Sequence, residues 1–173
     1  MLGLGIAKYN DDPFYRLFDN GRYSQASVAF LRAGRDREAA ICDAYLLREK
    51  ARSMSTTAST ARIQAFVTAA NAFITCALDS PRVNERPAYY GIAGECYLEA
   101  RDLRKAGDSY RMAEQYDEAA RAYLEGGYFD GVAVVIIQHG KSLGSGLRER
   151  LTMVTQMYYF KVYSNDQLDS KRI

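Results

Sequence analysis

Aromatic, small and polar positions recur every thirteen residues over the segment 110–134. Tyr110 is followed at this distance by Tyr123, and Tyr116 is followed by Phe129. Each unit has an aromatic residue at its first place, a small residue at the fourth, an aromatic residue or Leu at the seventh, and small residues at the tenth and eleventh. Self-similarity at a fixed short period indicates a chain built from repeated structural units.

Five units, two near the N-terminus and three in the second half, follow this order of residue types at most of its places. Their residues at the five places are Leu17, Asn20, Tyr23, Ala26 and Ser27; Phe30, Ala33, Asp36, Ala39 and Ala40; Tyr97, Ala100, Leu103, Ala106 and Gly107; Tyr110, Ala113, Tyr116, Ala119 and Ala120; Tyr123, Gly126, Phe129, Val132 and Ala133. Five matched units indicate that the repeat shapes the fold.

One continuous helix cannot carry this repeat. Thirteen residues at roughly 100° each leave equivalent side chains about 220° apart, so no apolar face would persist. We therefore expect one short helix per unit, ended by a turn. Asp117 and Asp130 are predicted to cap helix N-termini. Gly126 and Gly127 are predicted to end the preceding helix in the left-handed conformation.

The N-terminal units carry the same signals. Ser24 stands at the place of Asp117, and Gly21 and Gly34 stand at the place of Gly127. Small residues at fixed places let neighbouring helices approach closely, and an aromatic ring is expected to fill the space beside each crossing. This is the packing of helical solenoids.

Three longer helices are predicted over residues 39–54, 61–78 and 147–163. Loops are predicted at 79–87 and 140–146, and a polar hinge at 55–60. No strand is expected, because the β-branched run from Val132 to Ile137 occupies the helical part of its unit.

The predicted fold is all-α. It is a right-handed α-solenoid of short antiparallel helix hairpins, closed by a longer C-terminal helix. A single domain is expected over residues 13–163, between an irregular N-terminus at 1–12 and a flexible tail at 164–173.

Composition supports a globular, intracellular chain, either cytoplasmic or nuclear. Of the 173 residues, 48% are apolar and 25% are charged. The longest strongly apolar run is too short to cross a bilayer, and residues 1–12 lack a secretory signal, so no membrane partner is expected. Cys42, Cys76 and Cys96 are predicted to be buried free thiols.

No catalytic, cofactor-binding or metal-binding residue is predicted. Two glycine-containing segments, at 3–8 and 140–146, lack the spacing of a phosphate loop. His139 is the only histidine, and its place before Gly140 indicates a helix C-terminus rather than a catalytic base. The three cysteines form no metal-binding pattern.

The basic residues suggest a nucleic-acid surface as an alternative function. Net charge is only +2, but 17 of the 23 basic residues are Arg, which suits phosphate as well as carboxylate partners. The candidate contacts are Arg48, Lys50, Arg52, Arg101 and Arg104. The tyrosines at unit places are assigned to the core, with their hydroxyls at its rim.

Residues 17–52 ("LFDNGRYSQASVAFLRAGRDREAAICDAYLLREKAR") and the array that begins "AGECYLEARDLRKAGDSY" resemble the TPR-like helical-repeat region of large fungal proteins with a UvrD-type helicase ATPase. These proteins are related to the TPR and ankyrin repeat-containing protein. "YYFKVY" (158–163) resembles the closing segment of that region. The chain has no Walker-type loop, so the resemblance implies the accessory helical part and not the ATPase.

We therefore expect a non-catalytic scaffold that holds a protein partner or an adjacent domain of a helicase-like ATPase. Nucleic-acid binding by the same accessory region is the alternative. A truncated array would also expose apolar surface at its ends, which favours self-association.

Overall fold

A computed structural model describes the backbone of residues 12–55 and 59–169, and the side chains of residues 12–55 and 60–161. This part of the chain contains nine α-helices, one 3₁₀ turn and no strand. The helices are α1 (Pro13–Asp19), α2 (Tyr23–Arg32), α3 (Asp36–Ser53), α4 (Ser59–Leu78), α5 (Arg86–Glu99), α6 (Leu103–Met112), α7 (Tyr116–Glu125), α8 (Phe129–His139) and α9 (Ser145–Asp169). The all-α prediction is confirmed.

The helices pack in the order in which they occur along the chain. Each packs on the helix that follows it, from α1 on α2 to α8 on α9, and α9 also contacts α7. The interior is therefore built from a series of local contacts between neighbouring helices.

One turn recurs at the thirteen-residue period. Two residues after the ends of α1, α2, α5, α6 and α7, the chain has a positive φ of 60–72°, and these residues are Gly21, Gly34, Arg101, Glu114 and Gly127. The left-handed ends predicted at Gly21, Gly34 and Gly127 are confirmed. Gly126 differs, because its φ is −80°. Since a left-handed residue cannot continue an α-helix, the break predicted within each unit is confirmed.

Each of these turns closes through the same pair of backbone bonds. At the end of α5, the N–H of Asp102 donates to the carbonyl of Tyr97 (2.9 Å) and the N–H of Arg101 donates to that of Leu98 (3.0 Å). The other four turns repeat this Schellman pattern at equivalent residues. The first residue of every unit is therefore the carbonyl acceptor that ends its helix.

The predicted N-caps are wrong by two residues. Helix α7 begins at Tyr116 with Gln115 as its N-cap, so Asp117 lies inside the first turn, and its carboxylate accepts the N–H of Gly144 at 3.3 Å. Asp130 and Ser24 lie inside the first turns of α8 and α2 in the same way. The turn before each helix explains this difference. The next helix starts only two residues after the left-handed residue, so the residue predicted as N-cap already lies inside that helix.

Both predicted loops are shorter than expected. Within 79–87, the chain forms a 3₁₀ turn (Val83–Glu85) and then α5, with Pro87 in the first helical turn, where proline needs no N–H partner. Within 140–146, α9 already begins at Ser145. Helix α9 also runs to Asp169, beyond the predicted end at 163. Residues 1–11, 56–58 and 170–173, which belong to the predicted N-terminus, hinge and tail, lie outside the described residues.

The loop before α5 is held by α3. Arg37 of α3 donates to Ser80 Oγ at 2.8 Å and forms an ion pair with Glu85. Burial alone would raise the pKa of Glu85, but hydrogen bonds from Arg82 and Arg37 outweigh it and lower this pKa. Glu85 therefore remains a charged anchor between α3 and the start of α5.

Glycine and tyrosine form a repeated contact between successive units. A Cβ placed on Gly94 would lie 2.8 Å from the ring of Tyr110, and a Cβ on Gly107 would lie 2.5 Å from the ring of Tyr123. Gly94 precedes Gly107 by thirteen residues, as Tyr110 precedes Tyr123. The prediction that small residues make room for an aromatic ring at each crossing is confirmed here.

The core tyrosines place their hydroxyls as predicted. Tyr97, Tyr110 and Tyr123 are at most 6% exposed. The hydroxyl of Tyr97 donates to Asn71 Oδ1 at 2.6 Å, and that of Tyr123 donates to Asp108 Oδ1 at 2.5 Å. The buried rings of Tyr97 and Tyr123 therefore carry satisfied polar ends.

Helix α4 is long and apolar enough to span a membrane by length and composition alone. In this fold it packs between α3 and α5 and buries both Phe66 and Phe73. A core helix of a globular protein passes the same test of length and hydropathy.

All three cysteines are buried free thiols, as predicted. Burial raises the pKa of Cys42 to about 12, and it raises the pKa values of Cys76 and Cys96 to about 11. The nucleophilic thiolate is therefore disfavoured at each position.

The recurring turn allows a stability test at equivalent positions. We expect Glu114→Gly to raise the free energy of unfolding by about 1 kcal/mol, because relief of the left-handed strain (~1–2 kcal/mol) exceeds the greater entropy of glycine in the unfolded chain (~0.4–1 kcal/mol). Gly127→Ala, one unit further on, is expected to lower it by a similar amount. Urea denaturation of both variants checks the opposite signs, and equal signs would contradict the shared turn.

Candidate interaction surface

Two arginines of α3 face α5 across the surface. Arg48 Nη2 is hydrogen-bonded to Glu95 Oε2, and Arg52 Nη2 lies 4.0 Å from the same oxygen. Arg52 also pairs with Glu49 at 3.3 Å. The Arg48 side chain is only 13% exposed, whereas that of Glu95 is 47% exposed, so the pair lies at the surface with its arginine partly buried.

A second group of charges lies at the C-terminal end of α5. Arg62 of α4 binds Glu99 at 3.0 Å, and Arg101, in the turn after α5, binds Glu125 of α7 at 2.8 Å. These pairs join helices that belong to different units.

The two groups form one continuous surface. The depression beside Arg48 has a volume of about 240 Å³ and the one beside Arg101 has a volume of about 410 Å³, and both are lined by Leu98 and Glu99. We call this surface the arginine groove. Its charged and apolar wall residues are Arg48, Arg52, Arg62, Glu95, Leu98, Glu99, Arg101 and Glu125.

Two of the five predicted nucleic-acid residues lie elsewhere. Arg104 of α6 pairs with Asp130 of α8 at 3.3 Å and lies over the ring of Tyr128, with 5.3 Å between its Cζ and the ring centroid. It lines a different depression, together with Asp108 and Arg111. Lys50 is exposed on α3 and does not line the groove.

The structure therefore brings together Arg48, Arg52 and Arg101 of the predicted set. The sequence analysis missed Arg62 and the partner carboxylates. One signal was available: Arg48 and Arg52 are four residues apart, as are Glu95 and Glu99, so each pair lies on one face of a helix. Which faces meet is decided by the packing of α3 on α4 and of α4 on α5.

The cysteine of the arginine groove is held as a neutral thiol. Cys96 lines the wall of the groove, and burial raises the pKa of that thiol to about 11. Among the described residues, no group of three or more His, Cys, Asp and Glu side chains is arranged to hold a metal ion. His139 lies on α8 and stacks on Tyr116, with 3.8 Å between ring centroids. The arrangement is suited to binding through charge and shape.

The last helix leaves one face open. Tyr158 of α9 stacks on Phe129 of α8, with 4.2 Å between ring centroids. Phe160, by contrast, is 76% exposed. Tyr158 and Phe160 are two positions apart in the helix, and residues at that spacing lie on different faces.

No protein family, curated protein or solved structure matches this chain.

Proposed function

We propose that this chain is a non-catalytic helical-repeat scaffold that holds a protein partner or an adjacent domain of a larger protein. The observation that supports this most directly is the recurring turn, which returns the chain to the same geometry in five units. Repeats that contact their neighbours form extended surfaces suited to binding.

The finer architecture in this proposal is a right-handed, TPR-like α-solenoid of antiparallel hairpins, closed by α9. One contact favours it: Arg104 and Asp130 hold the same place in units two apart, and they form an ion pair. A hairpin stack brings alternate helices such as α6 and α8 side by side, as this contact requires.

The arginine groove is the proposed binding surface. Its four arginines alternate with three glutamates, so both signs of charge are presented along one path. A protein partner that carries both signs can complement such a surface, which gives specificity and orientation. We assign this module to the accessory region of a helicase-like ATPase in the cytoplasm or nucleus, on the resemblance of residues 17–52 and of the array that follows.

Nucleic-acid binding is the second candidate. It is favoured by the four arginines of the groove, since each guanidinium has five N–H donors and is only partly used by its carboxylate. Against it, a phosphate chain in the groove would approach Glu95, Glu99 and Glu125 and would be repelled by them.

A matched pair of variants tests both candidates. Arg52→Gln with Arg101→Asn removes two positive charges from the groove, and asparagine tolerates the left-handed backbone at 101. Lys141→Gln with Arg148→Gln removes the same charge outside it. We expect the groove variant to bind a partner protein captured by the parent chain at least about tenfold more weakly than the parent chain does. The control variant is expected to bind that partner with unchanged affinity.

The nucleic-acid candidate is measured on the same proteins with a fluorescent single-stranded oligonucleotide at low and high salt. Steeply salt-dependent binding that is lost in the groove variant would support it over the protein scaffold. A nucleotide- or metal-dependent turnover that a point mutation abolishes would contradict the non-catalytic proposal.

A further inference from the structure

The outer face of α9 carries an apolar stripe. Met153, Met157 and Phe160 follow one another at helical spacing and are 64%, 67% and 76% exposed. Leu151 and Thr155, on the other side of the same helix, are at most 8% exposed. The stripe therefore points away from the helices that α9 packs on, and we call it the α9 stripe.

The stripe exposes an unusually large apolar area. Large apolar side chains present on the order of 150–250 Å² each when fully exposed, so three that are 64–76% exposed leave several hundred Å² open to water. Patches of about 300–600 Å² are the largest on a typical monomer and often mark a binding site. Methionine is also well suited to such a contact because its side chain adapts to the surface opposite.

Charges of opposite sign lie along the two edges of the stripe. At roughly 100° per residue, Glu149 projects beside one edge, and Arg150 and Lys161 project beside the other. All three residues are exposed. The edges of this helix face are thus electrostatically different from each other.

We infer that the α9 stripe pairs with the α9 stripe of a second copy, with the two helices parallel. Two parallel helices related by a two-fold axis place the acidic edge of each against the basic edge of the other, so Glu149 of one copy meets Arg150 of its partner at nearly the same height. An antiparallel pair would instead place the basic edge of one helix, with Arg150 and Lys161, against the basic edge of the other. Because the two edges of the stripe are complementary in charge, they favour a second copy of the chain as the partner and a parallel arrangement of the two helices.

The apolar area of the stripe determines how strongly two copies are expected to bind. A standard interface buries about 800 Å² on each partner, whereas the three stripe residues supply about half of that. The dimer is therefore a weak one that forms and dissociates with concentration. The arginine groove lies on α3 to α7 and takes no part in it, so this inference and the proposed function can fail separately.

Sedimentation velocity over a concentration series tests the pairing on the chain. We expect a reversible monomer–dimer equilibrium whose dissociation constant rises at least about tenfold, or 1.4 kcal/mol, in Met157→Glu. Ile137→Glu is the matched control, since Ile137 is 81% exposed on α8 and lies outside the stripe. A monomer at every concentration overturns the inference, as does association that Met157→Glu leaves unchanged, because another surface or another partner is then responsible.

Charge reversal and cross-linking test the orientation. Glu149→Arg and Arg150→Glu are each expected to weaken the dimer, and the double variant is expected to restore it. Met153→Cys should form an intermolecular disulfide with oxidised glutathione, because a parallel pair places residue 153 opposite itself, while Ile137→Cys should not. The native cysteines are buried and do not compete. Additive charge effects, or no disulfide at 153 in a chain that dimerises, would overturn the parallel arrangement.

Discussion

Phe73→Ala is expected to lower the free energy of unfolding by about 3–5 kcal/mol. Phe73 lies in the middle of α4 and is completely buried. Its ring meets the ring of Tyr45 on α3 edge to face, with 5.1 Å between centroids. Removing it leaves a cavity between α3, α4 and α5 and also removes a favourable aromatic pair.

The effect should extend toward the N-terminal helices. Tyr45 also contacts Phe18 of α1 and Tyr23 of α2, at 5.0 and 5.2 Å between centroids. These four rings connect α1 and α2 to the larger core, which otherwise ends near α3. Because a domain of this size has only about 5–15 kcal/mol of net stability, the loss of Phe73 would remove a large part of it.

Urea denaturation followed by circular dichroism measures this change. The control is Leu78→Ala, at the end of the same helix, where the side chain is 62% exposed and a loss of no more than about 0.5 kcal/mol is expected. A similar loss in both variants would contradict the assigned core. A transition that splits into two steps would show that the N-terminal helices unfold separately once the aromatic connection is weakened.

Gly107→Ala is expected to destabilise the chain by about 1–3 kcal/mol. In an ordinary helix interior this substitution stabilises by about 1 kcal/mol, so even the sign of the change is informative. Gly107 lies within α6, where an added Cβ would lie 2.5 Å from Cε1 of Tyr123. That distance is far below normal contact, so either the ring or the helix must move.

The Tyr123 ring has little freedom to move away. A Cβ on Gly131 of α8 would also lie 2.7 Å from the same ring, and the Tyr123 hydroxyl is bound to Asp108. The ring is therefore in close contact with glycines of both α6 and α8. Burial, together with the hydrogen bond to Asp108, raises the pKa of Tyr123 to about 12, so the ring remains neutral in this position.

A double-mutant cycle separates the clash from a general effect of the alanine. Gly107→Ala should cost less when Tyr123 is already Ala, with a coupling energy of about 0.5–3 kcal/mol. Gly146→Ala is the matched control, because Gly146 lies in the first turn of α9 with no atom within 4 Å of the added Cβ. Stabilisation by Gly107→Ala would rule out the close approach.

The period of the chain predicted much of the fold. Thirteen residues are incompatible with one straight helix, so the breaks between Tyr97 and Val134 followed from helix geometry alone. Gly127 and its equivalents identified the left-handed turns, because glycine adopts that conformation without strain. At Arg101 and Glu114 no glycine marks the turn, and there only the spacing of the repeat indicated it. Asp117 was misplaced as a cap because side-chain preference for the N-cap was overridden by the turn before it.

The candidate surface was less predictable. Arg48, Arg52 and Arg101 were selected for their charge, but the carboxylates that pair with them come from helices up to 47 residues away. The exposed stripe on α9 was hidden in the same way, since "YYF" at 158–160 has one ring facing α8 and another facing solvent. Sequence pattern alone does not distinguish the two sides when both are apolar.

For this protein, the sequence by itself determined the helical class, the thirteen-residue unit, the burial of its cysteines and the burial of Tyr97, Tyr110 and Tyr123 at repeat places. These depend on local backbone preference and on the spacing of apolar residues, which act within a few turns of the chain. Only the tertiary structure decided which arginine meets which glutamate, which glycine receives a ring and which face of α9 is left open. Those outcomes depend on how the helices are placed against one another in space, and side-chain contacts between distant segments exist only after that packing has formed.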